Sequence, residues 1–81
     1  MKRVLIIGGY GNFGSYIARS LADHQGIQLI IAGRSEERAR TFCENLETAN
    51  NAEGVSLDIS QEFETRLKGL APDIVIHTSG P

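Results

Sequence analysis

Val4-Leu5-Ile6-Ile7-Gly8-Gly9-Tyr10-Gly11-Asn12-Phe13-Gly14 is the stretch that decides the fold. Its first four residues form a continuous apolar run, as a parallel strand covered on both faces requires. Four glycines follow within seven positions, and from Phe13 onward apolar residues recur at helical spacing. A chain that leaves a strand and enters a helix at once must turn sharply, and glycine reaches backbone angles that a side chain forbids. The segment satisfies G-x-G-x-x-G through Gly9, Gly11 and Gly14, and G-x-x-G-x-x-G through Gly8, Gly11 and Gly14. Between a strand and a helix, that pattern is a seat for a nucleotide pyrophosphate. Gly8 or Gly9 makes the turn, Gly11 removes a Cβ where the pyrophosphate approaches, and Gly14 lets helix and strand pack closely. The first-turn amides from Asn12 to Gly14 then point at the phosphates, and the helix macrodipole adds about 0.3–1 kcal/mol. The expected contacts are therefore the loop as a whole: Gly8, Gly9, Tyr10, Gly11, Asn12, Phe13 and Gly14.

Working outward, Leu29 to Ala32 is a second continuous apolar run, and Ile74 to Ile76, after Pro72-Asp73, is another. Val55 and Leu57 alternate with Ser56 and Asp58, which suits a strand at the sheet edge with one face covered. Phe13, Ile17 and Leu21, with Tyr16 beside them, predict one buried stripe on a helix that ends near His24, before Gly26. Ala39, Phe42, Cys43 and Leu46 repeat the helical spacing in a second helix, which Ser35 can cap and whose first turn carries Glu36 and Glu37. Phe63, Leu67 and Leu70 mark a shorter third helix. The order is β-α-β-α-β-α-β. Right-handed crossovers make this an α/β, doubly wound parallel sheet of the Rossmann type, with strand order 3-2-1-4 and three helices. Helices one and two then share a face and helix three lies on the other, with the ligand above the carboxyl ends of strands one and four.

The 81 residues make one dinucleotide-binding domain, residues 1–81. Part of the second sheet face lacks its usual helices, and a full doubly wound sheet has about six strands. The expectation is an incomplete fold, the amino-terminal part of a longer protein; the alternative is a minimal module that dimerises through its bare face. Eight basic and ten acidic residues, a net charge of −2 with neither sign gathered into a block, argue against nucleic-acid and anionic-membrane partners. The apolar run after Met1-Lys2-Arg3 is too short for a signal peptide or a membrane span. The single cysteine, Cys43, excludes an internal disulfide and fits a reducing cytoplasm.

The nucleotide is chosen at the end of strand two. An NAD site needs a carboxylate there, about 20 residues past the glycines, to hold the ribose hydroxyls. The sequence reads Ala32-Gly33-Arg34-Ser35 instead. A 2′-phosphate carries about −1.5 to −2 charges near neutral pH, and a guanidinium grips it with paired, charge-assisted bonds. At about 1.5–3 kcal/mol, such bonds favour NADP over NAD by about tenfold to a hundredfold. FAD and S-adenosylmethionine sites also use an acid at this place, so its absence weakens both. The plain alternative is a solvated Arg34 and a Ser35 that only caps a helix. Arg38, one turn further, either faces the phosphate or pairs with a glutamate.

Asp58, in Leu57-Asp58-Ile59, borders the adenine in such folds, where its carboxylate accepts from the amino group while Ile59 covers a ring face. It also forms a plausible capping box with Gln61, and both roles are compatible. Thr78-Ser79-Gly80 closes strand four opposite the glycine loop, beside the pyrophosphate and the nicotinamide ribose. Cys43 reads as a core residue and His24 as a helix-end residue, while His77, late in strand four, could approach the nicotinamide, but an isolated histidine is more often structural. Two distant histidines and one cysteine make no metal site. Tyr16 is followed at i+4 by Ser20, and Tyr10 by Gly14, so the Tyr-x-x-x-Lys pair of short-chain dehydrogenases is absent. No residue is assigned as catalytic.

Taken together, Val4 to Gly14, Ile31-Ala32-Gly33-Arg34-Ser35, Leu57-Asp58-Ile59 and Asp73 to Pro81 resemble the NADP-binding domain of the saccharopine dehydrogenase family. The resemblance spans nearly the whole chain and is narrowed by the Ala-Gly-Arg-Ser ending and the terminal Gly-Pro. It implies a longer NADP-dependent oxidoreductase whose second domain holds a small-molecule substrate and often the dimer contact, with the substrate residues beyond Pro81. On that reading this chain positions the nicotinamide and is not catalytic by itself. A non-catalytic NADP sensor that reports redox state through a partner is the second reading, and a nucleotide-sugar or other adenosine-ligand binder is a third.

Overall fold

The computed structural model describes residues 1–8, 10–48, 51–57 and 63–78. Four strands, β1 (Lys2–Ile7), β2 (Ile27–Gly33), β3 (Glu53–Ser56) and β4 (Ile74–His77), alternate with three helices, α1 (Asn12–Leu21), α2 (Glu36–Asn45) and α3 (Phe63–Leu70). All strand pairs are parallel and the sheet order is β3-β2-β1-β4. The apolar runs of β1 and β2 lie at its centre in direct register, Val4 beside Leu29 and Ile6 beside Ile31. β3 pairs with β2 alone and takes the edge, as its alternating pattern predicts.

The two sheet faces carry separate cores. Val4, Ile6, Leu29 and Ile31 pack with Ala18 and Ala22 at and beyond the end of α1 and with Ala39 of α2. Leu5, Ile7, Ile30, Ala32 and Leu57 pack on the opposite face beneath Phe63, Leu67 and Leu70 of α3. This is the split that right-handed crossovers impose. β4 is the thinly covered part, with Ile74 48 % and Val75 44 % exposed.

The buried stripe of α1 is not the predicted one. Phe13 and Tyr16 are 66 % and 70 % exposed, while Gly14 and Ala18 are buried and Ile17 and Leu21 only half-buried. The helix starts so close to the β1 loop that only small side chains fit beneath it, which turns the two aromatics to the flank. The helix also ends at Leu21, short of His24. α2 behaves as its spacing predicts: Ser35 caps it, its hydroxyl accepting from the Arg38 N–H at 3.2 Å, and Ala39 is buried with Phe42 and Cys43 beside it. A Cβ at Gly54 of β3 would lie 2.6 Å from the Arg40 amide nitrogen and 2.7 Å from the Ala39 carbonyl carbon, so glycine there sets how closely α2 rests on the sheet edge.

The far end of the sheet is tied by Arg3. Its backbone N–H donates to the Asp73 carboxylate at 2.8 Å, its Nε to the Leu70 carbonyl at 3.0 Å, and one guanidinium nitrogen to Gln28 at 2.9 Å, with Glu53 at 3.7 Å. One side chain thus joins β1, β2, β3 and the end of α3. Among the described residues no helix is long and apolar enough to cross a membrane, and no group of three His, Cys, Asp or Glu side chains gathers to hold a metal ion.

Candidate functional site

At the opposite end of the sheet, the carboxyl ends of β1, β2 and β4 open into a cleft of about 620 Å³. Its floor is the glycine loop. Gly8 follows β1 at φ 82°, a left-handed conformation that favours glycine, and its amide donates to the Ala32 carbonyl of β2 at 2.7 Å. The Gly8 carbonyl then accepts from Gly11 at 3.0 Å, which closes the turn. Gly11 is the N-cap of α1 and has no side chain to bond the amides of the first turn. Those amides belong to Asn12, Phe13 and Gly14, all three of which line the cleft. No acidic side chain stands in that turn.

Gly14 shows why the last glycine is required. A Cβ there would run into the Gly8 carbonyl oxygen and lie 2.8 Å from the Gly8 carbonyl carbon and 2.7 Å from Thr78 Oγ1. The helix start is thus wedged between the β1 turn and the end of β4. Thr78 supplies the other side of the wedge: its amide and its hydroxyl both donate to the Ile7 carbonyl, at 2.9 and 2.8 Å. His77, at the end of β4, also lines the cleft and is exposed.

The β2 end brings Gly33, Arg34, Ser35 and Arg38 to the same opening. Arg34 is exposed, and among the described residues neither it nor Arg38 has a carboxylate within ion-pair reach. The Arg34 backbone is held instead, its carbonyl accepting from the Ser56 hydroxyl at 3.2 Å. No described lining residue is acidic. Two guanidinium groups, a helix start without an acid and an open floor of backbone amides make this a place for an anion with several phosphates. The residues present therefore fit a phosphorylated dinucleotide.

Of the expected contacts, Gly8, Tyr10, Gly11, Asn12, Phe13, Gly14, Gly33, Arg34, Ser35 and Thr78 surround this one cleft. Gly9, Asp58, Ile59, Ser79 and Gly80 lie outside the described residues. Strand β3 ends at Ser56. The sequence reading gave no separate role to Ile7 and Leu57, which supply apolar wall, and left Arg38 open between two partners. Their only sequence signal is position: each stands at or just beyond a strand end, or one helical turn after it.

No curated protein matches the sequence. Among solved structures, a menthone neomenthol reductase from Mentha piperita superposes with a TM-score of 0.83 at 22 % identity over 99 % of this chain and 32 % of its own. RhlG of Pseudomonas aeruginosa, solved as an NADP active-site complex, superposes with a TM-score of 0.78 at 20 % identity over 99 % of this chain and 35 % of its own. Both likenesses establish the fold, and the chain spans about a third of the length of either protein. The sequence matches the model of the saccharopine dehydrogenase NADP-binding domain over residues 4–81. With a match over nearly all of its length, the chain belongs to the saccharopine dehydrogenase NADP-binding domain family, and its nucleotide is NADP.

Proposed function

We propose that this chain is the NADP(H)-binding portion of an oxidoreductase, and that it holds the nicotinamide for hydride transfer to or from a substrate bound by another domain. The observation that carries this reading is the meeting, in one cleft, of the glycine loop and an arginine pair without an acid among the described lining residues. The cofactor supplies the hydride chemistry; the chain supplies placement and charge. Gly8 to Gly14 receive the pyrophosphate through backbone amides and the α1 dipole. Arg34 and Ser35, with Arg38 beside them, receive the 2′-phosphate, and Asp58 and Ile59 border the adenine. Thr78, Ser79 and Gly80 flank the pyrophosphate and the nicotinamide ribose, and His77 stands at the mouth on that side.

The open β4, with Ile74 and Val75 exposed, supports a further domain or subunit beside this edge. On this reading that domain holds a small-molecule substrate and provides the contact of a homodimer, and the protein works in the cytoplasm. Calorimetric titration with NADPH and NADH tests the assignment. NADPH binds about tenfold to a hundredfold tighter, and Arg34→Ala removes most of that preference with little effect on NADH. Equal affinities in the wild type would refute the 2′-phosphate role.

A further inference from the structure

The glycine loop carries a tyrosine whose position its sequence context does not explain. Tyr10 is half-buried, packs against the core beneath α1 and α2, and lines the cleft. Its ring lies against Gly33 at the end of β2: a Cβ on Gly33 would overlap the phenol, 2.5 Å from Cζ. The ring therefore fills the space of the side chain that Gly33 lacks. Beyond it, the phenol oxygen accepts a hydrogen bond from the Ser35 N–H at 3.2 Å. This bond ties the pyrophosphate loop to the turn between β2 and α2, across 25 residues of sequence.

A tyrosine hydroxyl has one proton to donate as well as lone pairs to accept. The Ser35 amide uses a lone pair, and no described residue accepts the proton. Tyr10 belongs to the cleft lining together with Arg34, Ser35 and Arg38. On the cleft side these side chains and the phenol present donors and no described lining residue offers a carboxylate, while Glu37 borders the adjoining hollow that Tyr10, Ser35 and Arg38 also line. A hydroxyl whose oxygen already accepts an N–H bond donates its own proton more strongly, because linked hydrogen bonds polarise one another. The acceptor that suits such a set of donors is a phosphate oxygen.

We infer that Tyr10 is a specificity-determining residue for the 2′-phosphate: its ring holds the place of the β2-end side chain, and its hydroxyl fixes Ser35 and donates to the phosphate. The inference rests on the 2′-phosphate assignment made above for Arg34 and Ser35. It also accounts for the pairing of Tyr10 with Gly33. An acid at position 33, the group that would bind an unphosphorylated ribose, has no room while the phenol is there.

The test is Tyr10→Phe, which keeps the ring over Gly33 and removes only the hydroxyl. Calorimetric titration of the intact protein with NADPH and NADH compares variant and wild type. The variant loses about fivefold to tenfold in NADPH affinity and keeps its NADH affinity. A wild type that prefers NADPH, with a Tyr10→Phe variant that keeps the full preference, would overturn the role of Tyr10 and leave that of Arg34 standing. Tighter NADPH binding by the variant would also overturn it, since the phenol would then only compete with the phosphate for the Ser35 amide. An equal loss for both nucleotides would mean that the hydroxyl merely supports the loop. Equal NADPH and NADH affinities in the wild type would instead refute the underlying 2′-phosphate reading.

Discussion

Gly14→Ala and Gly69→Ala add the same methyl group to a helix and are expected to have opposite effects. Gly14 lies in α1 and Gly69 in α3. In a helix interior alanine is favoured over glycine by about 0.8–1 kcal/mol, and this term is common to both substitutions. At Gly69 the new Cβ meets nothing within 4 Å. Because Gly69 is next to last in its helix, a stabilisation of about 0.5–1 kcal/mol follows. At Gly14 the Cβ meets the Gly8 carbonyl and the Thr78 hydroxyl, and neither yields easily. Gly8 is backbone held by bonds to Ala32 and Gly11, and Thr78 is anchored twice to the Ile7 carbonyl. Overpacking costs about 1–3 kcal/mol, and a broken hydrogen bond adds about 1 kcal/mol. After the propensity gain is subtracted, Gly14→Ala is destabilised by about 1–3 kcal/mol. The two variants thus differ by about 2–4 kcal/mol, a separation on the order of 10 °C or more in Tm for a domain this small. Urea unfolding followed by circular dichroism measures the difference, and NADPH titration should show weakened binding for Gly14→Ala alone. Stabilities within about 0.5 kcal/mol of each other, well inside that predicted gap, would refute the wedge between the β1 turn and the end of β4.

Two further expectations concern parts of the molecule away from the cleft. Arg3→Met removes the bonds to Leu70 and Gln28 and the ion pair with Glu53 at the far end of the sheet. It should cost about 1–2 kcal/mol in urea unfolding and leave NADPH affinity unchanged, since that end is remote from the cleft; a change in affinity would show that the two ends are coupled. The Cys43 thiol is pushed up from 9.0 to about 11, first by burial and then by the Glu53 carboxylate. Its contribution to stability is complete below pH 9, where folded and unfolded chains both hold the proton, and is lost as pH rises towards about 11, because the unfolded chain releases the proton first. Unfolding midpoints measured from pH 8 to 11 should therefore fall more steeply for the wild type than for Cys43→Ala. Equal slopes would mean that the folded thiol ionises like an exposed one.

Strand order and the position of the cleft were legible because they follow from local facts. The runs Val4 to Ile7 and Leu29 to Ala32 need cover on both faces, the glycines need a sharp turn, and crossover handedness does the rest. The stripe of α1 was misread because helical periodicity ranks residues by apolarity alone. Phe13 and Tyr16 have the right spacing, but a helix pressed against a backbone turn has room below it only for Gly14 and Ala18. A distance between helix and sheet leaves no trace in the period of the pattern.

The site divides in the same way. By itself the sequence pointed to a dinucleotide seat at the end of β1 and put Arg34 where an NAD site needs an acid, because a glycine loop and a missing carboxylate are written at fixed offsets from a strand. It also placed Tyr10 beside the glycines without showing what the tyrosine touches. Only the tertiary structure decided that Tyr10 fills the space of the absent Gly33 side chain and holds Ser35, that Arg38 turns to the cleft without a glutamate partner among the described residues, and that Thr78 braces Gly14. Those contacts join residues 23 to 64 positions apart. They exist because the parallel register sets the ends of β1, β2 and β4 side by side, a relation between strands that no single stretch of the chain contains.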